Sequence, residues 1–441
     1  MQPADVHGRF TRLRHLVFWV LIAVFAALPW VHIGGHPALF IDIPHRQLFV
    51  FGKTFNAQDT WLLFFVVTAI GFTLVVITTL WGRIWCGYAC PQTVWLEGVY
   101  RRIERLIEGP RHLRVRRDDA PMTFDKAWRK TLKHALFLLV SWLVAHVLIS
   151  YFVSLPALYR MVLRSPLEHW TAFLWASAFT GVFYFNFAFF REQLCLVVCP
   201  YGRLQSAMLD RDSMVIGYDT VRGEPRGKAK VGAAKDSGVG DCVDCNRCVV
   251  VCPTGIDIRN GLQIECVGCA ACVDACDEVM VKLGRAPGLV RYDSHSGFAK
   301  EHKRFLRPRV GLYAVLGLVG AVVAGFAFQS RTSYEANLLR LRGAPYTVEE
   351  LSVRNAFEVH IVNKSPKARK FVITPSPASG LEFTVAFREI DVPALADARV
   401  PVFVSYRRNQ SAGVREALVS VHPSDDPTEK KTSRVSLVGP R

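Results

Sequence analysis

The residues best suited to chemistry are eight cysteines in two short runs. CVDCNRCVVVCP at 242–253 has the spacing C-x2-C-x2-C-x3-C-P, and CVGCAACVDAC at 266–276 repeats it with Asp277 in place of the proline. This spacing is typical of bacterial ferredoxins with two clusters, in which the fourth cysteine of each run serves the other cluster. The pattern predicts two [4Fe–4S] clusters and transfer of single electrons.

Each predicted cluster takes ligands from both runs. The ligands expected for cluster 1 are Cys242, Cys245, Cys248 and Cys276. Those expected for cluster 2 are Cys252, Cys266, Cys269 and Cys272. A zinc site is the alternative, but zinc typically uses two C-x2-C pairs with a longer gap between them. The paired runs of four therefore favour iron–sulfur clusters.

Four further cysteines form two C-x-x-x-C-P motifs, each at the end of an apolar run. They are Cys86 and Cys90 in IWCGYACPQT, and Cys195 and Cys199 in LCLVVCPYGR. On a helix, two residues four apart share one face, and the following proline is expected to end or kink that helix. Such thiols can bind Cu(I), zinc or an iron–sulfur cluster, or close into a reversible disulfide. Inert buried thiols are the alternative.

Five apolar segments must position these cysteines. They lie at about 16–34, 61–81, 135–155, 170–190 and 310–328. Each is close to the ~20 residues needed to cross the hydrocarbon core of a bilayer. Segments 16–91 and 135–200 look like a duplicated unit of two helices and one C-x-x-x-C-P motif, and a pseudo-twofold axis could bring the four thiols to one place.

The distribution of basic residues predicts the orientation. Segment 82–134 holds 12 Lys and Arg, whereas segments 35–60 and 156–169 hold two each. Because basic loops stay in the cytoplasm, the N-terminus and segment 191–309 are expected there, in a bacterial inner membrane. The net charge of +17 then reflects orientation and contact with the lipid bilayer, and no nucleic-acid partner is expected.

The chain divides into four predicted regions. Residues 1–217 form a membrane domain, 218–309 a linker and ferredoxin insert, 310–328 the fifth helix, and 335–441 a β domain. Segment 218–241 is interpreted as a flexible linker because it is rich in Gly and Lys and has no periodicity. Every cysteine lies within 86–276, on the predicted cytoplasmic side, which favours free thiolates over disulfides.

The last region has the alternating pattern of short strands. FEVHIVN, KFVIT, LEFTVAF, VPVFVSY, EALVSVH and RVSLVG are separated by turn residues. This spacing predicts an immunoglobulin-like β-sandwich in the periplasm. The fold class is therefore a polytopic α-helical membrane protein with a cytoplasmic ferredoxin insert and a C-terminal periplasmic sandwich. His32, His134 and His146 lie in or near the helices, and packing or hydrogen bonding is preferred to metal ligation for them.

These motifs together resemble one family. CGYACPQTVW, CLVVCPYGRLQSAM, the stretch 242–280 and the trailing β domain are similar to the CcoG family, also called FixG or RdxA, accessory proteins of cytochrome c oxidase. The resemblance implies a cupric reductase that supplies Cu(I) for the binuclear centre of a cbb3-type oxidase. It also implies copper as substrate or transient ligand at Cys86, Cys90, Cys195 and Cys199, and oxidase subunits or copper chaperones and transporters as partners.

Two other functions remain open from the sequence. The chain could be a quinol dehydrogenase-like electron conduit with the same clusters, or a redox sensor or scaffold for oxidase assembly. For the copper reductase, an electron donor on the cytoplasmic side is expected, and the sequence does not identify it.

Overall fold

The computed structural model describes residues 2–56, 59–228, 238–302, 304, 307–329, 332–365, 367–376, 380–408 and 415–440. Its five long helices are Arg9–Ala27, Thr60–Trp81, Phe124–Ile149, Trp170–Phe185 and Pro308–Gln329. A π-helical turn, Asn186–Phe190, extends the fourth helix. These helices are long and apolar enough to span a bilayer, which confirms the five predicted segments and makes the chain a membrane protein.

The first and third helices begin well before the apolar segments that predicted them. The first starts at Arg9 instead of residue 16, and the third starts at Phe124 instead of residue 135. Thr123 caps the third helix by accepting a hydrogen bond from the Lys126 amide, and this capping fixes the start of a helix. Hydropathy locates the apolar middle of a helix but does not locate its charged ends.

Short helices connect and follow the long ones. They are Ile84–Tyr88, Pro91–Trp95, Leu96–Tyr100, Arg101–Glu108, Arg111–Asp119, Leu155–Leu163, Leu194–Val198, Pro200–Met208, Thr220–Gly223, Arg247–Val250, Ile258–Asn260, Ala271–Lys282 and His295–Phe298. Leu96–Tyr100 and Leu194–Val198 are π-helical.

The chain forms two compact units. The first contains residues 1–43 and 63–323, and the second contains residues 44–62 and 324–441. In the first unit, strands Val215–Tyr218 and Val290–Asp293 pair antiparallel. They precede and follow the two cysteine runs in the sequence. The predicted linker therefore begins in a strand and continues as the helix Thr220–Gly223. Its residues 229–237 lie outside the described part of the chain.

The N-terminal segment, residues 2–11, packs on the ferredoxin insert. The Ala4 amide donates to the Val250 carbonyl at 2.9 Å. The amide and hydroxyl of Thr11 both donate to the buried Asp274 carboxylate at 2.7 Å. Ala4 and Val6 also pack beside Cys269 and Cys272. The first residues of the chain thus cover cysteines more than 250 positions later.

The second unit contains a β-sandwich of two antiparallel sheets. One sheet has the order Leu381–Val385, Asp397–Arg407, Ser352–Asn363, Tyr334–Arg340, with Thr347–Val348 paired to Ser352–Asn363. The other has the order Glu389–Val392, Arg369–Pro375, Arg415–Pro423, Lys431–Leu437. Alternate residues such as Val400, Val402 and Val404 are buried between the sheets. The six strands predicted from the alternating pattern are confirmed.

Residues 44–62, which connect the first two long helices, belong to the same unit as the sandwich. They contain the strands Gln47–Val50 and Lys53–Asn56, which pair antiparallel. The first unit contains the strand Leu39–Asp42 and the paired strands His32–Ile33 and His36–Pro37. The side-chain amide of Gln47 donates through Nε2 to the Leu395 carbonyl at 3.2 Å. Lys364 and Asp59, both buried, form an ion pair at 2.7 Å. The sequence analysis did not connect this segment with the β domain.

Candidate iron–sulfur and thiol sites

Four cysteines, which we call the first cysteine set, line one cavity. They are Cys242, Cys245, Cys248 and Cys276. Tyr218 and Arg259 also line this cavity. Cys245 is exposed, whereas Cys242 and Cys248 are buried. The structure therefore brings together the four residues that the sequence assigns to one cluster.

The other four cysteines, which we call the second cysteine set, line a neighbouring cavity. They are Cys252, Cys266, Cys269 and Cys272. Apolar side chains close this cavity, among them Ile216 and Ile258. Cys248 of the first cysteine set lines it as well, so the two sites are adjacent. Two neighbouring redox sites suit transfer of single electrons between them.

The arrangement of the thiols fits a cluster better than a zinc ion. A zinc site holds four ligands within about 2.3 Å of one ion. Among the residues that the structure describes, no three His, Cys, Asp or Glu side chains converge on a point that could hold one metal ion. The thiols of each set instead line the wall of a cavity, as ligands at the corners of an iron–sulfur cube must.

Burial makes these thiols unfavourable as free thiolates. It raises the pKa of Cys266 and Cys276 to about 12 and that of Cys248 to about 11. Nearby cations oppose the rise, namely Arg83 beside Cys266 and Arg259 beside Cys248. Binding of a metal centre must displace the thiol protons, and these two arginines lower the free-energy cost of forming the thiolates.

The two cysteine runs have similar local structure up to their last cysteine. Asn246 and Ala270 occupy equivalent positions and both adopt positive φ angles, 54° and 59°, at the start of a helix. After the first run, Pro253 follows a helix that ends at Val250. After the second run, the helix continues through Asp277 to Lys282. Aspartate keeps the backbone N–H that proline lacks, so the helix is not interrupted.

The C-x-x-x-C-P motifs differ from the predicted helical pairs. Cys86 lies in the helix Ile84–Tyr88, but Cys90 follows that helix with extended backbone. Cys199 has the same extended backbone after the π-helical turn that contains Cys195. The prediction that each pair lies on one helical face is therefore wrong. Each proline instead begins a new helix, a position where its fixed φ is favourable.

The four thiols of these motifs, Cys86, Cys90, Cys195 and Cys199, lie together and form what we call the thiol quartet. Burial raises the pKa of Cys86 to about 12, and the other three thiols add to this rise. Burial likewise raises the pKa of Cys195 to about 11, with further contributions from Cys90 and Cys199. The interactions among these thiols indicate that the two motifs lie near each other.

A buried amide borders the thiol quartet. The Cys86 thiol lies 3.4 Å from Oε1 of Gln205, whose side chain is fully buried. Gln205 lies on the helix Pro200–Met208, which follows Cys199, so this contact joins the two C-x-x-x-C-P motifs.

The raised pKa values predict how the thiol quartet reacts with iodoacetamide. Only the thiolate is alkylated, so the labelling rates of Cys86 and Cys195 are expected to rise about tenfold per pH unit from pH 8 to 10. N-acetylcysteine, with an ordinary pKa, should approach its maximal rate in that range. Peptide mass spectrometry measures both, and a plateau of Cys86 labelling below pH 10 would contradict the prediction.

The thiol quartet lies directly against the second cysteine set. A Cβ atom added at Gly87 would lie 2.6 Å from the Gly268 carbonyl oxygen and 3.1 Å from the Cα of Cys269. Only glycine allows this approach without displacing the neighbouring backbone. The residue that follows Cys86 thus touches the loop between Cys266 and Cys269, and the two sulfur sites adjoin through their backbones.

A buried network of charges supports the second C-x-x-x-C-P motif. Arg101, which is 2% exposed, forms ion pairs with Glu97 and Glu192. Arg191 and Arg114 both pair with the buried Glu104, the latter at 3.3 Å. Burial alone would raise the pKa of Glu97, but Arg101 and other cations hold it below its usual value. These pairs hold the segment that leads to Cys195.

The histidines noted in the sequence form hydrogen bonds. Nδ1 of His134 lies 3.0 Å from the Tyr184 hydroxyl. Nδ1 of His146 lies 2.8 Å from the Trp142 carbonyl, and Nδ1 of His32 lies 3.0 Å from the Trp30 carbonyl. The hydrogen bonding expected for these histidines is thus observed at Nδ1.

Sequence reasoning missed the residues that join the sites. Arg83 and Gly87 flank Cys86, and Asp274 anchors the N-terminal segment. Arg83 could have been singled out as the basic residue three positions before the first cysteine at a membrane edge. Gly87 gives no comparable signal, because the need for glycine depends on a loop about 180 residues away.

Three family models match the chain. A 4Fe-4S dicluster domain matches residues 190–295, a 4Fe-4S binding domain matches 60–110, and an IG-like fold at the C-terminal of FixG matches 324–440. The segment 60–110 contains Cys86 and Cys90 as its cysteines. The family models thus support iron–sulfur chemistry and the immunoglobulin-like domain.

Several curated proteins are similar over most of their length. The nitrogen fixation protein FixG of Rhizobium meliloti is 34% identical, with 99% of this chain and 92% of that protein covered. The proteins RdxA and RdxB of Cereibacter sphaeroides are 33% and 32% identical, over 90% and 87% of this chain and 86% and 83% of theirs. The chain therefore belongs to the FixG family, also called CcoG, and is a membrane-bound iron–sulfur electron-transfer protein.

Proposed function

We propose that the protein is a cupric reductase, which converts Cu(II) to Cu(I) at the thiol quartet for the binuclear centre of a cbb3-type cytochrome c oxidase. The observation that carries this proposal is the direct contact between Gly87, next to Cys86, and the Gly268–Cys269 backbone. It gives a short path between a ferredoxin-type site and four soft ligands. Soft thiolates favour Cu(I) over harder metal ions.

The eight cysteines of the two sets are the proposed cluster ligands, with the pairing that their cavities support. When bound, the clusters supply storage and transfer of single electrons. The protein excludes water from the second cysteine set with Ile216, Ile258 and the N-terminal residues Ala4 and Val6. It leaves Cys245 of the first cysteine set exposed, so we propose that the electron donor docks there.

Copper at the thiol quartet is proposed to bind two thiols at a time. No three of the candidate side chains in the described chain converge on one ion, and this argues against a single four-coordinate copper site. Two thiolates that close to a disulfide release two electrons, which reduce two Cu(II) ions to Cu(I). The electron-transfer activity of the protein then returns the disulfide to thiolates; direct electron transfer to thiol-bound Cu(II) gives the same product.

The proposed orientation puts the N-terminus and ferredoxin insert in the cytoplasm and the β domain in the periplasm of a bacterial inner membrane. The basic segment 82–134 supports it. Contacts within the second unit are consistent with it, because Lys364 of the β domain pairs with Asp59 of the loop between the first two helices. Oxidase subunits and copper chaperones or transporters are the proposed partners.

A cavity between the third and fourth long helices favours a quinol dehydrogenase as the second candidate. It has a volume of about 560 Å³ and is lined by Trp142, His146, Phe173 and other residues. The cavity extends along both helices to Leu138 and Gly181. These two residues lie about one helical turn from His134 and Tyr184, which contact each other.

The test uses full-length protein purified without oxygen. After reduction with dithionite and removal of the excess, Cu(II) is added with a chromogenic Cu(I) chelator. Two one-electron clusters should yield ~2 Cu(I) per chain, in addition to the two Cu(I) that each thiol pair yields when it closes to a disulfide. Iron and sulfide analysis and EPR count the clusters in the same sample. Cu(I) formation no faster than with cluster-free protein would refute the proposal. Cluster reduction by a quinol analogue would favour the second candidate.

A further inference from the structure

Arg83 lies between the thiol quartet and the second cysteine set and contacts both regions. Its guanidinium donates to the Cys266 carbonyl at 3.2 Å and to the Gly202 carbonyl at 3.0 Å. It also donates to the Ile264 carbonyl. Gly202 follows the second C-x-x-x-C-P motif, so one side chain joins three segments that are distant in sequence.

The backbone around Arg83 is packed as tightly as its side chain. A Cβ atom added at Gly268 would lie 2.8 Å from the Arg83 carbonyl oxygen. Gly268 also has a positive φ of 68°, which glycine adopts without strain. The Tyr292 hydroxyl donates to the Gly268 carbonyl at 2.6 Å. The loop of the second cysteine set is thus held in one position against Arg83.

The duplicated motif does not repeat this arrangement. Glu192 stands three residues before Cys195, where Arg83 stands three residues before Cys86. Glu192 pairs with the buried Arg101 and therefore belongs to the charge network on the other side. Only the first motif brings a cation to the second cysteine set.

A fixed cation beside a redox centre favours the reduced state, because each added electron makes the centre more negative. Arg83 is half-buried, so solvent ions screen its charge only in part. We propose that Arg83 is a positioning residue of this junction: it holds the Cys86 loop against the second cysteine set and raises the reduction potential of the cluster bound there. This inference deepens the proposed function and rests on its assignment of a cluster to the second cysteine set.

The test is an EPR-monitored redox titration of full-length protein without copper. In Arg83→Gln, the midpoint potential of one of the two clusters is expected to fall by ~59 mV. This shift corresponds to a tenfold change in the equilibrium constant for one-electron reduction. Arg83→Lys keeps the charge and should restore most of that midpoint. Cu(I) formation, measured in parallel, tests the positioning role. It is expected to slow in Arg83→Gln despite the larger driving force, because the Cys86 loop is no longer held against the second cysteine set.

Arg259→Gln is the matched control, because Arg259 lies beside Cys248 of the first cysteine set. The Arg259→Gln variant should lower the midpoint potential of the cluster at the first cysteine set. Unchanged midpoints in Arg83→Gln would overturn the inference, and an equal fall in Arg83→Lys would reduce Arg83 to a packing role. The midpoints require no copper, so a wild-type protein inactive towards Cu(II) would refute the proposed function alone. If Arg83→Gln loses iron, the midpoint potentials of Arg83→Lys are compared with those of the wild type. Unchanged potentials support a role of the charge, whereas a fall assigns Arg83 a packing role.

Discussion

Replacing Cys86 with alanine is expected to lower Cu(II) reduction to the rate of protein-free controls, while iron and sulfide content stay at the wild-type level. The thiolate is the metal ligand and the reductant, and alanine removes it with little change in volume. Cys199→Ala should have the same effect, because it removes the partner motif of the thiol quartet. The chelator assay and metal analysis described above measure both quantities.

Ser206→Ala is a suitable control for these variants. Ser206 lies on the helix that follows Cys199, and its hydroxyl donates only to the Arg203 carbonyl among the contacts of the described residues. Wild-type activity in the double variant Cys86→Ala/Cys199→Ala would rule out the thiol quartet as the copper site. A loss of about four iron atoms per chain would show instead that the quartet holds a cluster of its own. The match of residues 60–110 to a 4Fe-4S binding domain makes that outcome informative.

Replacing Arg101 with methionine is expected to lower the free energy of unfolding by about 3–5 kcal/mol, the usual cost of removing one partner from a buried ion pair. Arg101 is almost fully buried between Glu97 and Glu192. Methionine would leave two carboxylates in an environment of low polarity. Thermal unfolding in detergent, followed by circular dichroism, should show a markedly lower transition temperature.

Two further variants test the cause of that loss. In Arg101→Met/Glu97→Gln/Glu192→Gln the buried charges are gone, so part of the lost stability should return. Arg164→Met removes an exposed pair with Glu168, 62% and 53% exposed, and should cost less than ~1 kcal/mol. If Arg101→Met were as stable as Arg164→Met, the network would not contribute to stability as proposed.

Periodicity and cysteine spacing predicted the parts of the fold that local sequence determines. Long apolar segments and alternating strands were found where expected, because burial in lipid or in a sandwich core requires those patterns. The two cavities also group the cysteines as their spacing indicates. The helical pairing within the C-x-x-x-C-P motifs was wrong, since Pro91 and Pro200 start new helices just after Cys90 and Cys199.

Contacts between distant segments could not be predicted. The approach of Gly87 to Gly268, the bridging by Arg83 and the association of residues 44–62 with the β domain all depend on tertiary packing. A single sequence carries no periodic signal for such contacts. The C-x-x-x-C-P spacing raised the question of where four thiols meet, but only the folded chain shows which cysteine set they adjoin.

The docking of the first residues on Asp274 has a consequence for how the protein is made. Residues 2–11 are translated well before the surface that they contact, because Thr11 and Asp274 are separated by 263 positions. Their docking on the ferredoxin insert therefore follows translation of both cysteine runs.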